Sequence, residues 1–212
     1  MDLDILHHLG ASARAVTRRE HEGRPARVVV ATRAYNTDAE DLFDALTTAE
    51  RIPRWFLPIS GELRVGGRYQ LQGNAGGEVL ACEPPRRLKI TWEMHGEASW
   101  VTVTLSPAAQ GWTTLTLEHV AFVPEEFWSQ YGPGAVGVGW ELGLLGLALY
   151  LGAKDAPFDR DAVVAWTMSP EGLAFARGAA QAWGEAAVAA GDDAEAAQAA
   201  AKRTAAFYTG GQ

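Results

Sequence analysis

Between Arg68 and Glu118 the chain repeatedly alternates apolar and polar residues. Tyr69 and Leu71 oppose Arg68, Gln70 and Gln72. Leu88, Ile90, Trp92 and Met94 alternate with Lys89, Thr91, Glu93 and His95; Val101, Val103 and Leu105 alternate with Thr102 and Thr104. Leu115 and Leu117 alternate with Thr114, Thr116 and Glu118. A period of two with one apolar side predicts an antiparallel sheet that is covered on one face and wet on the other. Leu63-Arg64-Val65 before Gly66-Gly67 reads as a strand and a hairpin turn, and Glu78 to Cys82 as a strand stopped by Pro84-Pro85. Upstream, Arg27 to Ala34 contains Val28-Val29-Val30-Ala31 and reads as the first strand.

Helical spacing takes over elsewhere. Asn36-Thr37-Asp38 offers caps for a helix carrying Leu42, Phe43 and Leu46, and a second short helix carries Ile52, Trp55 and Phe56. From Gly134 to Leu151 the helix is apolar nearly all round. Trp140, Leu144, Leu147 and Leu151 form one stripe, and Leu142, Leu145 and Leu149 another. Gly139, Gly143 and Gly146 form a third strip, which admits a close backbone or a guest. This stretch is long enough to span a bilayer, but Glu141 near its middle and the missing basic flanks favour a buried core helix over a membrane span. Residues 1–25 read as a short amphipathic helix and a polar arm, and Pro157 as part of a linker. Ser169-Pro170-Glu171 opens a helix with Phe175, Ala179 and Trp183 on one face; Gly191 ends it, and a last helix runs to Phe207-Tyr208. That alanine-rich hairpin needs a neighbour, either the sheet domain or a second subunit, and a homodimer through the C-terminal helices is one expectation.

The fold class expected is therefore α+β, with a curved antiparallel sheet wrapped around one long helix. Three regions follow: 1–25, a central domain over 26–153, and a helical extension over 154–212. Of 212 residues, 48% are hydrophobic and 21% charged, as in globular chains, and the formal net charge of -8 disfavours nucleic acid as a partner. One cysteine, Cys82, cannot build an internal disulfide, and Met1 to His8 lacks the basic and apolar regions of a signal peptide, so a cytoplasmic location is expected.

The order of strand, two short helices, strands and long helix carries recognisable motifs. Arg54-Trp55-Phe56-Leu57-Pro58 precedes Gly66-Gly67-Arg68-Tyr69, and Pro84-Pro85-Arg86-Arg87-Leu88 precedes Thr91-Trp92. Leu115-Thr116-Leu117-Glu118-His119 precedes Phe122, and Gly139-Trp140 lies on the long helix. Together these resemble bacterial proteins similar to the C-terminal domain of the activator of heat shock protein 90 ATPase, over roughly residues 26 to 153. That family has the helix-grip fold and belongs with START-like lipid binders and polyketide cyclases in the SRPBCC superfamily. The resemblance implies a hollow between sheet and long helix. It does not settle function, since the fold hosts several activities.

Aromatic residues on predicted inward positions are the first site candidates: Trp55, Phe56, Tyr69, Trp92 and Trp140, with Leu71 and Leu144. Flat apolar walls suit a small hydrophobic or amphipathic ligand. His119 follows Leu115 and Leu117 on the inward parity, and Glu141 lies on the apolar helix. Facing one cavity, the two would make an acid–base or anchoring pair. Three readings stay open: a ligand-binding module, a cyclase- or hydratase-type enzyme using His119 and Glu141, and a co-chaperone-like interaction module. The five histidines show no metal-ligand spacing, Gly73-Asn74-Ala75-Gly76-Gly77 lacks the lysine and helix of a phosphate loop, and no cofactor is expected.

Overall fold

A computed structural model describes residues 3–153 and 159–211 of the chain. Its centre is one eight-stranded antiparallel sheet in the order β1-β2-β8-β7-β6-β5-β4-β3. The strands are β1 (Ser12–His21), β2 (Arg24–Tyr35), β3 (Ile59–Gly61), β4 (Arg68–Leu71), β5 (Gly76–Glu83), β6 (Arg87–Met94), β7 (Glu97–Pro107) and β8 (Thr113–Ala121). The helices are α1 (Ile5–Gly10), α2 (Ala39–Thr47), α3 (Glu125–Tyr131), α4 (Gly134–Gly152), α5 (Arg160–Thr167), α6 (Pro170–Ala189) and α7 (Ala194–Tyr208). This is the expected α+β helix-grip architecture.

Register aligns the apolar rows. Ile90 pairs with Val101, Val101 with His119, and His119 with Val29, so one row crosses β6, β7, β8 and β2. Leu88, Val103, Leu117 and Ala31 form the next row. Both rows face α4. The opposite face carries ion pairs such as Arg68–Glu93 and Arg19–Glu118, as the alternation predicts.

Helix α4 lacks a polar face because several neighbours cover it. Towards the sheet it buries Val138, Leu144 and Leu147, and the Tyr35 hydroxyl donates to the Leu144 carbonyl at 3.1 Å. On another side α6 lays the fully buried Trp183 across Gly137, where a Cβ would sit 2.3 Å from the indole. The same helix has the length and hydropathy of a membrane span, and half of that stretch is buried inside the protein. The neighbour that the C-terminal hairpin requires thus lies within the chain: α6 packs on α4, β1 and α7.

Three local expectations are corrected. The polar arm before residue 25 is mostly β1, paired with β2 along its whole length through a two-residue turn at Glu22-Gly23. Positive φ at both turn residues, 49° and 72°, matches the right-handed twist of a hairpin. As an edge strand, β1 buries only Ser12 and Val16, so it leaves almost no apolar alternation. Leu63-Arg64-Val65 is not a strand; Gly67 N–H bonds the Arg64 carbonyl at 2.7 Å, and Ile59–Gly61 pairs with β4 instead. Part of the expected linker is helix α5, capped by Asp159, whose carboxylate accepts from Ala162 N–H. Pro157 lies outside the described residues.

Candidate functional site

The site grows from three elements. Inner-face residues of β4 to β8 make the floor, α4 makes one wall, and the 3-10 turn Ile52–Arg54 presents Trp55 and Phe56 as another. Trp55 is fixed twice. Its indole N–H donates to the Ala45 carbonyl at 2.9 Å, and its own carbonyl lies against Gly146, where a Cβ would come within 2.4 Å. Phe56 rests on Gly143, and the Tyr208 hydroxyl sits near Gly139. The glycine strip therefore serves close packing first.

Between these walls lies an apolar cavity of about 120 Å³, lined by Trp55, Phe56, Tyr69, Leu71, Trp92, Trp140 and Leu144 among others. An apolar cavity of roughly 150 Å³ takes up a benzene, so this smaller space holds one ring at most. Beyond it an open groove of about 1250 Å³ runs along α4, with Leu142, Leu149, Phe127, Trp166, Phe207 and Tyr208 on its walls. Trp55, Phe56, Trp92, Trp140 and Gly143 line both spaces. Their rings stand in a row where the two spaces meet: Trp55–Phe56 centroids are 5.3 Å apart, Phe56–Trp140 6.4 Å, and Trp92–Trp140 4.7 Å.

His119 stands at the groove, where its ring nitrogens are both engaged. The Trp140 indole N–H donates to Nδ1 at 3.0 Å, which makes Nδ1 an acceptor and puts the single ring proton of the neutral imidazole on Nε2. Nε2 then donates to Ser99 Oγ at 2.8 Å, and Ser99 donates to the Trp92 carbonyl at 2.9 Å. Burial pushes the His119 pKa down from 6.5 to about 4. The chain of donors runs one way, from Trp140 to a backbone carbonyl. Ser99 spends its proton on that carbonyl, so the arrangement braces the wall.

Glu141 is elsewhere. It is 1% exposed and lines neither space; Arg14 of β1 grips it with Nε–Oε1 at 2.6 Å and Nη2–Oε2 at 2.5 Å. Arg14 also donates to the carbonyls of Ser12 and Leu9. Nearby, buried Arg33 bonds His8 Nδ1 at 3.0 Å, and burial followed by the Arg33 charge lowers the His8 pKa. His119 and Glu141 thus sit in separate compartments, which removes the acid–base pair that a shared cavity would have made. The physical reason is helical: adjacent positions on α4 point about 100° apart, and Trp140 takes the side towards His119.

All the aromatic candidates line the inner cavity together with Leu71 and Leu144, while His119 lines only the groove. Reading the sequence missed Ser99, although a polar residue in phase with Val101, Val103 and Leu105 was a usable signal. It also missed the walls supplied by Phe122, Phe127, Trp166 and Phe207. These come from segments that periodicity cannot place against α4. Cys82 lines the cavity, and burial raises its thiol pKa. Among the described residues no cluster of three or more His, Cys, Asp or Glu side chains could hold a metal ion.

A family model described as activator of Hsp90 ATPase homolog 1-like protein matches residues 36–152. A search of curated proteins gives no match. Among solved structures, the crystal structure of CalU16 from Micromonospora echinospora is 33% identical with a TM-score of 0.67, covering 83% of this chain and 98% of that one. Its solution structure gives 34% identity and a TM-score of 0.69, with 85% and 97% covered. Protein MLL2253 from Mesorhizobium loti is 29% identical with a TM-score of 0.54, covering 61% of this chain and all of that one. DynU16, described as a putative protein in the dynemicin biosynthetic locus, is 25% identical with a TM-score of 0.51, covering 60% and 48%.

Proposed function

This chain belongs to the activator of Hsp90 ATPase homolog 1-like family, within the START-like SRPBCC superfamily, and we propose that it binds a small hydrophobic or amphipathic molecule between the sheet and α4. The observation that carries this reading is the apolar cavity walled by Tyr69, Trp92, Trp140 and Leu144, which shares aromatic lining residues with the adjoining groove on α4. Burying apolar ligand surface there would contribute about 25 cal/mol per Å². The described place of DynU16 in a biosynthetic locus supports a small organic ligand. On this reading the protein carries its ligand in the cytoplasm, and His119 and Ser99 stiffen the wall.

Native mass spectrometry of protein purified without denaturant tests the idea, alongside thermal shift against fatty acids and polycyclic aromatic compounds. A retained organic mass, or a concentration-dependent rise in Tm, is the expected result. The absence of both a retained mass and any rise in Tm across the two compound classes defeats the proposal.

A further inference from the structure

Resting on that reading, we propose a two-part ligand: an unsubstituted apolar end, about one ring in size, enters the inner cavity, and a longer body lies along α4 in the groove. Size sets the first limit. About 120 Å³ accommodates one ring and no fused ring system. Chemistry sets the second. The polar groups around the cavity already have partners: Tyr69 Oη donates to the Thr91 carbonyl at 2.6 Å, Thr47 Oγ1 to the Phe43 carbonyl at 2.8 Å, and Trp55 and Trp140 donate as described. With those protons spent, a carboxylate entering there would lose its hydration and meet only the weakly donating Cys82 thiol, and a hydroxyl would meet only oxygens already engaged. The ligand's polar groups must therefore stay in the groove.

Length comes from α4. Groove-lining positions on α4 run from Ala135 to Tyr150, about 22 Å at 1.5 Å per residue. Gly139 and Gly143 bring backbone to that surface. At the far end the rim is aromatic and open, with Phe127 46% and Phe207 70% exposed. Phe207, Tyr208 and Trp166 lie outside the segment that matches the family model. The C-terminal extension thus supplies groove walls from outside the family-matched segment, and selects the ligand's body while the central domain selects its end.

Calorimetric titration with dodecanoic acid, ω-phenyldodecanoic acid, its para-hydroxyphenyl analogue and benzene tests this on the whole chain. The phenyl acid should bind tightest, and the para-hydroxyl should weaken it by about tenfold or more. Val103→Phe and Ile90→Phe, which occupy the cavity but not the groove, should abolish benzene binding and the phenyl preference while leaving dodecanoic acid bound. Phe207→Ala should weaken the acids and spare benzene. Equal affinity for phenyl and hydroxyphenyl ends, or a preference that survives both cavity-filling variants, overturns the inference and leaves the binding function standing. So does benzene binding without any acid. Silence from all four probes, together with an inert thermal-shift panel, overturns both.

Discussion

Substituting His119 by asparagine should remove a specific acid sensitivity from the fold. In the folded chain His119 is 5% exposed and accepts the Trp140 indole proton on Nδ1. Protonation puts a second N–H against a group that can only donate, so the bond is lost and a charge is left buried. The unfolded chain has no such penalty and takes up the proton near the ordinary value of 6.5. The drop to about 4 in the folded state corresponds to about 3 kcal/mol. The sign follows from which state binds more protons. Above 6.5 neither state is charged and stability is unaffected by this group. Between 6.5 and about 4 the unfolded state gains protons first, and stability falls. Urea unfolding of the parent and His119→Asn at a series of pH values across that window provides the assay. Their difference in unfolding free energy cancels the carboxylates common to both, and should shift by about 3 kcal/mol in favour of the variant as pH falls. A difference that stays constant, or an imidazole that titrates near 6.5 by NMR, refutes the reasoning.

Other substitutions probe other parts of the account. Arg14→Met strands the Glu141 carboxylate, whose side chain is 0% exposed, and should cost about 3–5 kcal/mol in urea unfolding, with Arg14→Met/Glu141→Leu recovering most of it. Gly137→Ala drives a methyl to 2.3 Å from the Trp183 ring and should cost about 1–3 kcal/mol, while Gly10→Ala, with nothing within 4 Å, stays within about 1 kcal/mol of the parent. Tyr35→Phe gives up the bond to the Leu144 carbonyl and should lower stability by about 1 kcal/mol. Truncation before Ser169 uncovers Gly137 and its side of α4; differential scanning calorimetry should then show the cooperative transition lost or strongly lowered.

The central domain was legible because its signals are local. Leu88 to Met94 alternates cleanly, since β6 has neighbours on both sides and one face on α4. The 134–152 helix reads as core because its apolar residues surround Glu141 without a polar side. Other features depended on distant partners. Nothing near Glu141 announces Arg14, which is 127 residues away and lies on a strand with only one apolar buried residue. The same holds for the orientation of the helical positions: inward parity placed His119 on the α4 side of the sheet, but only the rotation of α4 decides that Trp140 meets it and Glu141 does not. The aromatic wall was readable as a set, whereas its division into a small cavity and a larger groove depends on how Trp55 and Phe56 fold over Gly143 and Gly146. The C-terminal hairpin was legible as helices from Ser169-Pro170 and Gly191, but its seat against Gly137 was not.

The chain carries eight tryptophans, and their indole N–H signals in a proton–nitrogen correlation spectrum report ligand entry directly. Titration with ω-phenyldodecanoic acid should move the signals of Trp55, Trp92 and Trp140, which line both cavity and groove, and leave Trp100 and Trp183, which line neither, in place. Uniform small shifts at every indole, or movement confined to the exposed Trp112, would contradict a binding site between the sheet and α4.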